Sequence, residues 1–266
     1  MAEEADTDTD WDEVWELSRR VLEDGASLEL TDETRGLIIR TAQKVAIGQQ
    51  DAEDALRSLP AATTLLGEIH HRIGEGSRRL SKARNRAYKL RDAGDLDGAR
   101  QLMRDVLVVE VVPLYREQAE TLLEQFTGLS EVLATGRLNP DLDDRPQLAV
   151  LAQRIQQGHP LDLTDDLRNL LRRTAPMAAI SESETEEALK SPEGAEAIMG
   201  MILSRFRDAQ NRFLPAMFRM TSLRDSGDLE GARQQMRDVL AVEVVPRYRE
   251  AAEEQLRGLD SPPPES

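Results

Sequence analysis

The chain contains itself twice. LRDAGDLDGARQLMRDVLVVEVVPLYREQAE over residues 90–120 returns as LRDSGDLEGARQQMRDVLAVEVVPRYREAAE over 223–253, with 25 of 31 positions identical. The offset, 223 − 90 = 133 residues, holds without a gap back to Gly25 and Gly158. A duplication of this length means two folding units in tandem, each long enough to bury a core without disulfides or metal. Residues 11–129 are read as the first helical repeat domain and 146–260 as the second. The stretch 130–145, with its Gly, Asn-Pro and acidic cluster, reads as a linker. Residues 1–10 and 261–266 read as disordered ends.

Helical periodicity runs through each copy. Trp11, Val14, Trp15, Leu17, Val21 and Leu22 mark a first helix ended by Gly25. Thr31 caps a second helix carrying Leu37, Ile38, Thr41 and Val45. A short third helix starts at Asp51, and its counterpart at Ser181 has Glu184 three residues on, a capping box. A long helix over 61–92 keeps Leu65, Leu66, Ile69, Ile73, Leu80, Ala83, Ala87 and Leu90 on one side. Gly94-Asp95 turns the chain into a last helix, 96–126, which Pro113 should kink. The fold class is therefore all-α: two tandem helical domains, each a short-helix head plus a long antiparallel αα-hairpin.

Composition narrows the chemistry. The formal net charge is −16, the wrong sign for a nucleic-acid or anionic-membrane partner, which must be met by surplus Lys and Arg. There are no cysteines, so thiol catalysis is ruled out; the three histidines, His70, His71 and His159, form no triad with a nucleophile signature, and no glycine-rich phosphate loop follows a strand. No apolar run is long enough to span a bilayer. The N-terminal residues carry no signal-peptide pattern, which makes the cytoplasm the expected location. No catalytic residue, cofactor or metal is expected. The sharpest metal candidate, Glu68-x-x-His71, has the spacing of carboxylate di-metal bundles, but the second copy holds Met201 and Ser204 in its place. Asp95-Leu96-Asp97-Gly98 lacks the remaining ligands of a calcium loop and reads as a capped turn. The basic run Arg72, Arg78, Arg79, Lys82, Arg84, Arg86, Lys89 and Arg91 is read first as neutralising acidic neighbours within the molecule, the alternative being a receiver for an acidic partner or a phosphate.

Glu110, surrounded by valines in VLVVEVVP, needs a partner if buried. Folding the hairpin about Gly94 sets position 110 opposite Arg79, and Glu243 opposite Arg212, so both are expected as inter-helix ion pairs. The same reflection sets Arg72 near Tyr115 and Glu117, and Arg205 near Tyr248 and Glu250. Polar residues kept by both copies form a candidate interaction surface: Arg100, Gln101, Arg104, Asp105, Arg116 and Glu117, with Arg233, Gln234, Arg237, Asp238, Arg249 and Glu250. A surface presented twice suits bivalent binding of a protein partner, a homo-oligomer, or the two halves meeting about a pseudo-twofold axis.

The run GDLDGARQLMRDVLVVEVVPLYREQAE, with LELTDETRGLIIRTAQKVAIGQQDAEDAL upstream, resembles the DUSAM domain of myxobacterial proteins. The resemblance covers nearly all of copy 1. It covers copy 2 more loosely, where Asp144 and Leu148 replace Trp11 and Trp15. It implies no catalytic residues. The expected function is a non-catalytic cytoplasmic interaction or regulatory module. The alternatives are a metal-binding bundle using Glu68 and His71, or an acidic immunity- or antitoxin-like protein.

Overall fold

The computed structural model describes residues 11–260, so the readings made for 1–10 and 261–266 lie outside the described residues. Those described residues are all-α, with no strand among them. The chain divides into two compact units, one ending at Thr127 and the other beginning at Gly128.

The first unit opens with α1, helical over 11–18 and continued by a π-type turn, Arg19–Glu23. Then come α2 (Asp32–Lys44), α3 (Gln49–Ala55), α4 (Leu59–Asp92), α5 (Leu96–Val109) and the start of α6 (Pro113–Thr135). The third helix thus begins two residues before Asp51, with Gly48 at its cap. The second unit holds the end of α6, then α7 (Asp144–Gln156), α8 (Asp165–Thr174), a 3₁₀ turn (Pro176–Ala178), α9 (Glu182–Ala188), α10 (Pro192–Asp225), α11 (Leu229–Val242) and α12 (Pro246–Asp260).

Side-chain caps set the helix starts, each satisfying amide groups that a helix leaves free. Thr31 accepts from Thr34 N at 3.2 Å and Thr164 from Leu167 N at 3.3 Å. Asp95 and Asp228 each accept from the glycine three residues on at 2.8 Å. The capping box at Ser181 and Glu184 is formed. The hairpin turns rest on Gly94 and Gly227, at φ 85° and 87°, where a side chain would be strained. At 34 residues each, α4 and α10 are about 51 Å long.

The core of the first unit gathers Ile38, Leu56, Leu66, Ile69, Val106 and Val112 beneath the head helices and the hairpin. In the second unit Phe213, Met220, Met236, Val239 and Leu259 fill the hairpin. Of the stretch 130–145 read as a linker, residues up to Thr135 continue α6. The remainder is tied down by Gln147, whose amide accepts from Asn139 N at 2.8 Å and donates to the carbonyls of Asn139 and Leu142 at 2.9 Å each.

The kink expected at Pro113 is a complete break. α5 stops at Val109, residues 110–112 are non-helical, and Pro113 is the first residue of a new helix. A proline fits there because its missing N–H is not needed, while the residue before it is pushed toward extended backbone. Proline alone does not decide the outcome, since Pro215 lies inside α10 and that helix runs through it.

Candidate functional site

The break sits at the same place in both units and is closed by the same residues. Glu110 follows the last turn of α5 at φ −76°, ψ 130°, and Glu243 follows α11 at φ −78°, ψ 129°. Their side chains are 1% and 0% exposed. Glu110 Oε1 accepts from the amides of Val111 and Val112, both at 3.0 Å, and Glu243 Oε1 from Val244 at 3.0 Å and Val245 at 2.8 Å. The other oxygen faces the long helix: Arg79 Nη1 donates to Glu110 Oε2 at 2.6 Å, and Arg212 Nη2 and Nε donate to Glu243 Oε2 at 3.1 and 3.2 Å. Each carboxylate therefore holds the two amides of the non-helical break and pairs with an arginine of the hairpin partner. Burial of the charge is compensated on both oxygens.

The carbonyl side of the break is closed by a second arginine. Arg116 Nη1 donates to the carbonyls of Leu107 and Glu110, both at 2.8 Å, and Arg249 Nη1 to those of Leu240 and Glu243 at 2.9 and 2.8 Å. These two residues, expected on an interaction surface, bind backbone carbonyls while their side chains stay 41% and 42% exposed. A third repeated arginine does similar work in the head. Arg72 Nη1 donates to the carbonyls of Val45 and Ala46, and Arg205 Nη1 to those of Ala178 and Ala179. Ala46 and Ala179 hold φ of 61° and 57°, an uncommon conformation for alanine that the arginine clamp helps to retain. Arg72 also pairs with Glu68 at 2.6 Å, and Tyr115, which the hairpin reflection sets near it, donates to the carbonyl of the adjacent Ile73.

Tyr115 lies flat over Gly76, where an added Cβ would come within 2.7 Å of its Cε2, and its hydroxyl donates to Ile73 O at 3.2 Å. Trp11 meets the ring edge-on at 5.5 Å. Burial pushes the phenol from 10.0 up to about 12; the Ser77 hydroxyl offsets part of the rise and the Glu110 charge adds to it. In the second unit Ala209 replaces the glycine, and Tyr248 packs instead on Phe213 at 5.5 Å.

The other residues of the expected surface are paired mostly along their own helix. Gln101 donates to Asp105 at 2.8 Å and Arg104 to Gln101 at 3.4 Å. Arg100 pairs with Asp97 and keeps a buried Nε with no protein partner. In the second unit Gln234 donates to Asp238 at 2.7 Å, Arg237 pairs with Glu230 at 2.6 Å, and Arg233 reaches Asp260 at 2.7 Å and Leu259 O at 2.9 Å. Glu117 and Glu250 are exposed. Of the basic run, Arg72, Arg78, Arg79 and Arg91 each pair with a carboxylate of the same unit.

Open apolar surface at the break escaped the sequence reading. Val108, Val109 and Val111 are 82%, 53% and 50% exposed, and Val242 and Val244 are 60% and 51% exposed. In the first unit Val109 and Val111 form the lip of a cleft of about 230 Å³ whose walls include Glu68, His71, Arg79 and Glu110. The signal was available: a valine run crossing a helix break cannot bury every side chain on one face.

Among the described residues no three His, Asp or Glu side chains are placed to hold a metal ion, and no helix is long and apolar enough to cross a membrane. The Glu68 carboxylate of the metal alternative is held by Arg72.

No curated protein and no solved structure matches the chain. A family model does, twice in tandem, over residues 9–126 and 143–259. The two matched segments coincide with the two broken hairpins and their heads, and the chain belongs to the family described as "Protein of unknown function (DUF2379)".

Proposed function

We propose that this chain is a non-catalytic, cytoplasmic protein-interaction module that offers one kind of docking point twice. The observation that carries this reading is the exposure of Val109 and Val111, and of Val242 and Val244, at the one place where each hairpin arm is interrupted. Exposed apolar side chains flanking a hydrogen-bonded break suit recognition, because a backbone already held in place loses little ordering entropy on binding. Two equivalent points in one chain raise avidity for a partner that can reach both. The acidic balance, net charge −16, favours protein over nucleic acid. We also take the DUSAM resemblance and the matched family to describe one domain, since both fall on the same residues of each copy.

The test is affinity capture with the intact chain beside three variants: Val109→Asp with Val111→Asp, Val242→Asp with Val244→Asp, and all four together. The expected result is weakened capture by each pair and loss by the four, with helix content unchanged by circular dichroism. An identical set of bound proteins for parent and fourfold variant would refute the reading.

A further inference from the structure

Half of the basic run on α4 is left over once the ion pairs are drawn. Arg72, Arg78, Arg79 and Arg91 hold carboxylates, but no carboxylate among the described residues reaches Lys82, Arg84, Arg86 or Lys89. From Gly76 to Arg91 the helix carries no acidic residue. Lys82, Arg86 and Lys89 are all exposed, and their i, i+4, i+7 spacing sets them in one stripe about 10 Å long, away from the buried Leu80 and Ala87. Arg84 is half-buried and lies outside the stripe. Lys82 and Arg86, four residues apart, repel one another, so the stripe works against the helix that carries it. Nor does packing require it. In the second unit the same positions are Pro215, Arg219 and Ser222, and α10 forms the same hairpin. The one cation kept there, Arg219, donates to Gln235 at 2.8 Å.

We propose that Lys82, Arg86 and Lys89 form a docking stripe for an acidic polypeptide segment, one whose carboxylates are spaced over the same two helical turns. Charge complementarity selects the sign of the occupant, and extent selects a short segment over other polyanions. The whole chain carries −16, so a nucleic acid or an anionic membrane, whose charge extends well past the stripe, meets repulsion there. A short acidic segment feels only what lies within a Debye length, about 8 Å at physiological salt, and over that range the stripe is uncompensated. The second unit lacks the stripe, so this site is single where the valine lips are paired. The inference does not rest on those lips, and its test leaves them untouched.

The probe is a fluorescein-labelled oligoglutamate of about ten residues, read by fluorescence anisotropy against the full chain at about 50 mM salt, where exposed charges are weakly screened. Binding should weaken about tenfold when Lys82→Gln, Arg86→Gln and Lys89→Gln are combined, because three exposed ion pairs are lost. It should persist in Lys82→Arg with Lys89→Arg, which keeps the charge, and in Arg207→Gln with Arg247→Gln, which removes two exposed cations elsewhere. Helix content by circular dichroism should be the same in every variant. No binding at up to about 1 mM chain would overturn the proposal, as would equal binding by the triple variant. So would tighter binding, through the same three residues, of a short single-stranded RNA or of phosphatidylglycerol vesicles.

Discussion

Replacing the buried carboxylate of one unit tests the chemistry of the break. In Glu110→Gln the amide oxygen can still accept from Val111 and Val112, but as a neutral acceptor. Hydrogen bonds to a charged group are worth about 1.5–3 kcal/mol and neutral ones about 1; with about 1.5–2 each for two amides that share one oxygen, these two together lose about 1–2 kcal/mol. The side facing Arg79 loses its ion pair, because an amide NH₂ there confronts a guanidinium. Arg79 is 36% exposed and recovers water, which brings that loss down to about 1–2 kcal/mol. The sum is a destabilisation of about 3 kcal/mol. Urea unfolding followed by tryptophan emission is the assay, because the only tryptophans, Trp11 and Trp15, both lie in the first unit. With a slope of about 1.5 kcal/mol per molar for a domain of this size, the midpoint should fall by about 2 M. Glu117→Gln, an exposed control on the same arm, should shift it by less than about 0.3 M. A Glu110→Gln midpoint as close to the parent as that control would refute the reasoning.

Two further outcomes follow from the Tyr115 pocket. Gly76→Ala gains about 1 kcal/mol of helix propensity but drives a Cβ into the Tyr115 ring, so a net loss of about 1–3 kcal/mol is expected in the same urea assay; a stabilised variant would contradict the packing. The Tyr115 phenol is raised from 10.0 to about 12, so its neutral form is favoured in the folded state. That contribution, on the order of 3 kcal/mol, is fully present below pH 10 and is lost as pH rises through 12. Tyr115→Phe should flatten the decline of stability between pH 10 and 12, and an unaltered slope would count against the buried phenol.

The all-α class, the hairpin turns at Gly94 and Gly227 and the caps at Thr31 and Ser181 were legible because each rests on local chemistry a few residues long. The pairing of Glu110 with Arg79 was legible for a different reason: a straight antiparallel hairpin is a ruler, and counting from Gly94 reaches the right helical turn. The ruler still reaches past the break, where Tyr115 lands on Ile73 beside Arg72. It does not tell what Arg72 itself binds, the carbonyl of the left-handed Ala46, whose conformation no glycine announces. Pro113 was read as a kink because proline was weighed without its neighbours. Four valines disfavour continued helix, and a glutamate positioned to accept two amides supplies an alternative, whereas Pro215 lies among Phe213, Leu214 and Ala216 and the helix persists. The carbonyl-binding role of Arg116 and Arg249 was not legible, because sequence identity between the copies does not tell a residue that serves a partner from one that also serves its own backbone.

Backbone carbon chemical shifts at Glu110–Val112 and Glu243–Val245, measured by NMR on the intact chain, address the shared architecture directly. Non-helical values at both triplets, with the amides of Val112 and Val245 protected from exchange in the parent and exposed in Glu110→Gln and Glu243→Gln respectively, are the expected result. Helical shifts through either triplet, or amide protection indifferent to the glutamates, would contradict two modules each interrupted and sealed by one buried carboxylate.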